Sequence, residues 1–588
     1  MPKKLLIANR GEIAIRIAEA AAGLGIATVG VHSEDDGNSL HVRRVDHAVA
    51  LEGRGAVAYL DSARIIAAGK EAGCDAVHPG YGFLAENAAF AQACAGAGIA
   101  FVGPTVEQLR LFGDKAQARA HAQKCNVPVL PGTDVVDLAG AEAFFEQHAA
   151  NGIVLKAVAG GGGRGMRIVR EAGALSDAFA RATAEAKSAF GNGDLYAERL
   201  IGRARHIEIQ IVGDGKGGIA ALGERECTLQ RRSQKIVELA PSRHLSQALR
   251  RRIVDAAVAM AKAVAYRSLG TFEFLLDGEE YFFIEANPRL QVEHTVTEEV
   301  WGVDLVRAQL SLADGATLRD AGVDDDAAPR GHAIQLRINL ETMTEDGGAR
   351  PGGGTITAFE PPSGPGVRID SYGYAGYRTN PNFDSLLAKV IVHSPSCDFG
   401  EALKRAERAL AAFRLEGAPS NVAFLRALLA HPDFRADKVH TRFIDEHAKA
   451  LIDAAGKLQP GLYFPSATPA VAPRQAGARV DAVDPLAVLA FGKSTQQPAA
   501  EVAPDAPEGT VRVSAPMQGT IVSIAVKEGD AVAAGQPLLI MDAMKMQHEI
   551  RSPARGYIRR IAVDAGETIY EGHALLFVEE ADVEVKDA

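Results

Sequence analysis

Residues 514 to 578 carry one pattern written twice. Pro516, Gly519, Gly529 and Gly535 recur as Pro553, Gly556, Gly566 and Gly572, each displaced by 37 residues. Around them, SAPMQGTIVSIAVKEGDAVAAGQPLLIM aligns without a gap to RSPARGYIRRIAVDAGETIYEGHALLFV. Duplicated short β runs punctuated by glycine predict two intertwined half-units that bury their apolar faces against each other. Met544-Lys545-Met546 falls in the short connection between the halves, where a hairpin tip would hold the lysine out in water. Alone, Lys545 would be an ordinary solvated lysine. The repeat around it and the two flanking methionines weigh against that reading.

The rest of the chain is much larger. Its 588 residues predict several domains with substantial cores. A net charge of −11 argues against a nucleic-acid-binding surface as the main business, and no run of about 18 apolar residues is present to span a membrane. The opening MPKKLLIANRGEIAIRI is broken at once by Asn9, Arg10 and Glu12, so it reads as a strand turning into a helix and not as a signal peptide. Five cysteines without a CxxC pair suit reduced thiols and a cytoplasmic setting, and offer no zinc site.

Residues 1–113 alternate short apolar strands (KLLIA, ATVGVHS, DAVHP, IAFVG) with helical stretches, which predicts a parallel sheet with helices on both faces. Gly11 opens a helix whose N-terminus suits an anion, but NRGEIA lacks the G-x-G-x-x-G spacing, so a structural turn is the better reading. Residues 114–330 hold a glycine cluster and long strands, and 331–446 form a further α+β segment. Residues 447–510 are rich in Ala, Pro and Ser, as a linker would be, with DPLAVLAF (484–491) apolar enough to dock. The repeat occupies 511–580.

The glycine cluster AGGGGRGM lies between two predicted strands. Gly161, Gly162, Gly163 and Gly165 would let backbone N–H groups approach phosphates without β-carbons in the way. No Gly-Lys-Ser/Thr follows, so it is not a Walker A loop, and alone it is equally a hairpin. Lys156, just before it, and Lys115 in FGDK supply charge for phosphate oxygens. Glu273 on TFEFLL, with Glu285 and Asn287 two apart on FFIEANPR, form a hard oxygen set suited to Mg²⁺ or Mn²⁺. Apolar strands around them make the carboxylates costly to bury without a metal.

These features carry a resemblance. AMKM, with Asp542 where Glu is usual, resembles the biotinyl carrier domain of biotin-dependent carboxylases; lipoyl carriers share the duplicated fold but set their lysine in DKA. The stretches ANRGEIAIRI, HPGYGFLAEN, FGDK, KAVAGGGGRGM, RHIEIQ, CTLQRRSQK, FEF, IEANPRLQVEHTVTE and GHAIQLRIN, spread in order over residues 1–446, resemble the biotin carboxylase branch of the ATP-grasp ligases. The resemblance implies an α/β multidomain chain: a Rossmann-like N-terminal domain, an ATP-grasp domain, an α+β biotin carboxylase C-terminal domain and an all-β (hammerhead) biotinyl carrier.

It also implies roles. Lys115, Lys156, Glu198, His206 and Gln230 would hold ATP with the glycine loop, Glu198 from the hinge strand YAERLI. Glu273, Glu285 and Asn287 would hold the metal. Arg289 and Lys235 would bind bicarbonate, with Glu293 on the same strand-like side as Arg289 and Gln291. Glu293 would act as general base, and Arg337 would stabilise the developing negative oxygen of biotin. Ser233 stands where many relatives have His or Asn, implying an altered ribose contact. Biotin on Lys545 would be attached by a biotin protein ligase. A flexible linker of about 60 residues spans roughly 40 Å r.m.s., so the carrier can shuttle between sites. The remaining residues leave no room for a carboxyltransferase, which implies a separate carboxyltransferase subunit and a homo-oligomer within a larger complex. An acyl-CoA is the expected acceptor. A keto acid, or a carrier with an inactive ligase, is the alternative.

Overall fold

The computed structural model describes residues 1–158, 166–324, 327–458, 507, 509–543 and 546–581. The chain divides into two units, Met1–Gly461 and Leu462–Ala588.

In the first unit, β1 (Lys4–Ile7), β2 (Ala27–Ser33), β3 (His47–Leu51), β4 (Ala76–His78) and β5 (Ala100–Phe101) form a parallel sheet in the order β3-β2-β1-β4-β5. The order reverses between β1 and β4, the crevice where open α/β sheets bind ligands. Both strands lead there into glycine turns: Gly11 starts the helix Gly11–Gly23 at φ +66°, and Gly80 follows β4 at φ +63°. Asn9 ties the two turns together, its amide donating to the carbonyls of Pro79 (2.6 Å) and Tyr81 (2.8 Å). Apolar residues on both faces, such as Leu5, Ile7 and Ile13 on one and Leu6, Val29 and Phe90 on the other, bury completely. This is the expected strand-helix alternation.

A small antiparallel sheet follows, from β6 (Gly132–Val136), β7 (Ile153–Ala157), β8 (Met166–Val169) and β9 (Leu195–Arg199). Then come β10 (Arg205–Asp214), β11 (Ile219–Arg231), β12 (Gln234–Ala240), β13 (Arg267–Asp277), β14 (Glu280–Asn287) and β15 (His332–Asn339). Short ladders join β16 (Glu341–Met343) to β17 (Ala349–Pro351), and β18 (Ala358–Glu360) to a later strand. β19 (Val367–Ser371) and β20 (Leu386–Ser394) complete an eight-stranded antiparallel sheet, β14-β13-β10-β11-β12-β15-β20-β19, and β21 (Arg414–Glu416) partners β18. Since β12 pairs with β15, the sheet runs straight through residue 330, where the sequence suggested a boundary. Helices Phe399–Ala412, Val422–Ala430 and Phe443–Gly456 cover one face with a core that includes Leu336, Val390, Leu425 and Leu428.

The second unit holds β22 (Thr510–Ser514), β23 (Gly519–Ile524), β24 (Ala531–Val532), β25 (Pro537–Ala543), β26 (Met546–Arg551), β27 (Gly556–Ile561), β28 (Thr568–Ile569) and β29 (Ala574–Glu580). The sheets are β22-β29-β27-β24 and β26-β25-β23-β28, so each takes two strands from each half of the repeat. Ile521, Leu539 and Met541 from one half and Ile558, Leu576 and Val578 from the other close a common core, each worth roughly 1.5–3 kcal/mol of apolar burial.

Candidate active site

β10 reads His206-Ile207-Glu208-Ile209-Gln210. The isoleucines enter the core, and the two-residue period puts the three polar side chains on the opposite face. Lys235 from β12 reaches into this face. Its Nζ lies 2.6 Å from Glu208 Oε2, 3.0 Å from Glu273 Oε1 and 2.6 Å from Glu293 Oε1. Arg337 from β15 donates to the other oxygen of Glu293, Oε2, at 2.9 Å and to Glu238 Oε1 at 2.5 Å. Below them Arg225 is wholly buried. Besides Glu208, it donates to Gln210 (2.7 Å), Thr297 (2.9 Å), Thr271 (3.0 Å) and Gln291 (3.2 Å).

Burial presses Lys235 toward neutrality, but Glu208, Glu273 and Glu293 outweigh it and hold the ammonium well above the ordinary lysine range. The same contest runs in reverse on the carboxylates. Burial pushes Glu293 up, and Lys235, Arg337 and Arg225 together hold it below the usual range. Burial also raises Glu273, and Lys235 and His206 overcome that. Glu238 goes the other way: burial, reinforced by Glu293, raises it in spite of Arg337. Glu293 is therefore an ionised, sequestered carboxylate with a cation on each oxygen.

Glu273 also takes hydrogen bonds from Asn287 (2.9 Å) and Gln291 (3.0 Å), and His206 Nε2 lies 2.8 Å from its second oxygen. Gln230 Nε2 contacts His206 Nδ1 at 2.6 Å. Glu285 stands directly opposite Glu273 in the β13–β14 ladder. Two carboxylates facing each other, with the Asn287 oxygen on the same strand, are a donor set that fits a hard divalent cation. At the outer end, Lys115 lies 3.5 Å from Glu285, and Lys156 and Arg119 both grip Glu198. Burial raises Glu198, but Lys156 and then Arg119 hold it below the usual range.

The structure thus gathers Lys115, Lys156, Glu198, His206, Gln230, Lys235, Glu273, Glu285, Asn287, Glu293 and Arg337 along one polar face. Two expectations are corrected. Arg289, Gln291 and Glu293 are not on a strand: β14 ends at Asn287, Pro288 removes the next ladder donor, and the segment turns into helix His294–Trp301. Nor does burying Glu273 require a metal, since Lys235, His206, Asn287 and Gln291 already satisfy it. Arg289 donates through Nε to Glu86 (2.5 Å) and through Nη2 to Asn287 (2.8 Å), so its fork is engaged. Ser233 closes the β11–β12 hairpin with Arg232, both at positive φ. Gly161, Gly162, Gly163, Gly165, the segment 484–491 and Lys545 lie outside the described residues.

Sequence reasoning missed Glu208, Arg225, Glu238 and Arg119. The alternation in HIEIQ was the available signal for Glu208; nothing local marked the others.

Four family models match the chain: "Biotin carboxylase, N-terminal domain" over residues 1–109, "Carbamoyl-phosphate synthase L chain, ATP binding domain" over 114–321, "Biotin carboxylase C-terminal domain" over 335–446, and "Biotin-requiring enzyme" over 511–578. Biotin carboxylase of Nostoc sp. is 46% identical over 449 residues, which are 76% of this chain and 99% of that protein. The chain belongs to the biotin carboxylase family. Within it, pyruvate carboxylase of Staphylococcus aureus is also 46% identical over 453 residues, but this chain spans only 39% of its length. Among solved structures, a single-chain, multi-domain long-chain acyl-CoA carboxylase aligns at 38% identity and a TM-score of 0.69, covering 99% of this chain and 51% of that one. The biotin carboxylase fold and the appended biotin-lipoyl-type β unit are therefore those the sequence implied. Among the described residues no helix is long and apolar enough to cross a membrane.

Proposed function

We propose that this chain carboxylates biotin carried on Lys545 at the expense of ATP and bicarbonate, and passes the carboxyl group to a carboxyltransferase on a separate chain. One observation carries the catalytic part: Glu293 is buried, ionised and spanned by Lys235 on one oxygen and Arg337 on the other. Bicarbonate drawn to Lys235 and Arg289 takes over the ammonium's hydrogen bond, which frees a Glu293 oxygen and raises its basicity. The bicarbonate O–H proton then passes to Glu293. The carbonate oxygen forms a bond to the γ-phosphorus of ATP as the bond to ADP breaks. The loop glycines with Lys115 and Lys156 hold the phosphates, and Glu198, His206 and Gln230 orient the rest of the nucleotide. Glu273, Glu285 and Asn287 would hold Mg²⁺, whose chemistry is neutralisation of phosphate charge. Biotin, when attached, would supply the ureido nitrogen that takes up the CO₂ left when the carboxyphosphate C–O bond breaks, its N–H proton passing to the departing phosphate, and Arg337 offers its N–H groups to the oxygen that gains negative charge.

An acyl-CoA is the better acceptor reading. The similarity to the acyl-CoA carboxylase structure continues through the carrier unit to 99% of the chain, whereas that to pyruvate carboxylase covers 76%. Glu293→Gln should lower bicarbonate-dependent ATP hydrolysis by about 10²–10⁴-fold with nucleotide binding retained. Turnover close to the parent would remove Glu293 from the base role. Capture through biotinylated Lys545 tests the acceptor: a crotonase-like carboxyltransferase supports acyl-CoA, a barrel-type one a keto acid.

A further inference from the structure

Lys389 sits in the middle of β20 with no exposed surface. Its Cα partner on one side is Arg337 and on the other Asp370. Directly paired residues point to the same face, so Arg337, Lys389 and Asp370 form a row across three strands. A lysine ammonium has three N–H donors, and here three oxygens lie around it, one of them as a hydrogen-bond acceptor and two as ion-pair partners. Glu12 Oε2 lies at 3.0 Å, Asp370 Oδ2 at 3.5 Å, and the main-chain carbonyl of Val292 accepts at 3.1 Å. Glu12 accepts a hydrogen bond from the Tyr81 hydroxyl at its other oxygen, Oε1.

The third contact is the informative one. The Val292 carbonyl belongs to the peptide that leads into Glu293, so its orientation sets where the Glu293 Cα stands. The segment between Asn287 and His294 has left the sheet, and its own main-chain ties are few: Arg289 N to Asn287 O at 2.9 Å, and two long ones, His294 N to Gln291 O and Val296 N to Glu293 O, both at 3.3 Å. Lys389 anchors this peptide to the rigid β20 ladder.

We propose that Lys389 is a positioning residue for Glu293, clamping the Val292 carbonyl so that the carboxylate is held between Lys235 and Arg337. This rests on Glu293 being the base. The competing role is purely structural, with Lys389 serving as counter-charge to Glu12 and Asp370. The two roles separate in a double variant. Lys389→Met leaves Glu12 without its cation and loses the clamp; Glu12→Gln/Lys389→Met removes the charge imbalance but still lacks the clamp.

The experiment measures thermal midpoint and steady-state bicarbonate-dependent ATP hydrolysis on the full-length chain for both variants, for Glu12→Gln and for Glu293→Gln. The expected result is a kcat loss of about 100-fold in Lys389→Met, the scale of a misplaced catalytic group, with KM for ATP within about twofold. The double variant should recover the midpoint but not kcat. Recovery of kcat along with the midpoint overturns the proposal, as does a kcat within about threefold of the parent in Lys389→Met. Should the single variant fail to fold, the double variant alone decides by the same criterion. Retained turnover in Glu293→Gln would instead sink the base reading, whereas its loss beside unaffected Lys389 variants would sink only the clamp.

Discussion

Acid should loosen the N-terminal parallel sheet above the pH at which an ordinary carboxylate titrates. His41 and His78 are both fully buried there. His78 Nδ1 accepts the Gly80 N–H at 3.0 Å, and an N–H cannot reverse its role, so that ring must stay neutral. His41 Nε2 faces the Val31 carbonyl at 3.1 Å and must donate, which leaves Nδ1 to accept from the Ser39 hydroxyl at 2.9 Å. Burial lowers His41 from 6.5 to about 4 and His78 to about 3. In the unfolded chain both return to 6.5, so between pH 6.5 and those values the unfolded state binds more protons and stability falls with pH. At pH 5 neither native ring is protonated, and each has cost about 2 kcal/mol relative to neutral pH, about 4 kcal/mol together. Amide exchange of β1 and β4, corrected for intrinsic rates, should show protection about 10³-fold weaker at pH 5 than at pH 7.5. His78→Asn keeps an acceptor near the Nδ1 position without a titrating ring, and should reduce the change to about 30-fold. Protection that shifts by less than about tenfold in the parent protein, or equally in His78→Asn, would refute the reasoning.

Lys545→Arg should abolish biotin labelling on a streptavidin blot, and residual labelling would place the modification elsewhere. Arg225→Met strands Glu208 in the interior without its guanidinium, so chemical denaturation should show a loss of about 3–5 kcal/mol; an unchanged midpoint would mean that Lys235 alone neutralises Glu208. Gly80→Ala forces a left-handed φ of +63° on a residue with a β-carbon and sets that carbon 2.8 Å from Asn9 Nδ2. It should cost at least about 1–2 kcal/mol in thermal or urea unfolding, and a neutral effect would refute the strain argument, since a shift of the Asn9 amide relieves only the contact.

The sequence made the periodic features readable. The alternation of apolar strands and helices gave the parallel sheet, and the duplicated glycines gave the carrier unit. Glu273, Glu285 and Asn287 were readable because they share two adjacent strands. Partners that depend on sheet order were not. Glu238, Arg337, Lys389 and Asp370 are neighbours only because β12, β15, β20 and β19 lie side by side, and no local pattern encodes that order. Lys389 reads as one polar residue within the apolar run LLAKVIV, and Arg225 as one charge in GEREC. The strand expected beyond Asn287 stops for a local reason: Pro288 has no N–H to donate to the ladder.

The strand arrangement of the second unit bears on when the protein can be modified. β29 is the last of the described strands, yet it lies inside its sheet with β22 on one side and β27 on the other. During synthesis, β22 and β27 therefore wait for β29 to emerge before they gain their shared neighbour. A ribosome that has already made residue 545 has not yet made the strands that complete the two sheets. An enzyme that reads the finished unit therefore acts only after β29 has been made, and the order of strands sets the clock.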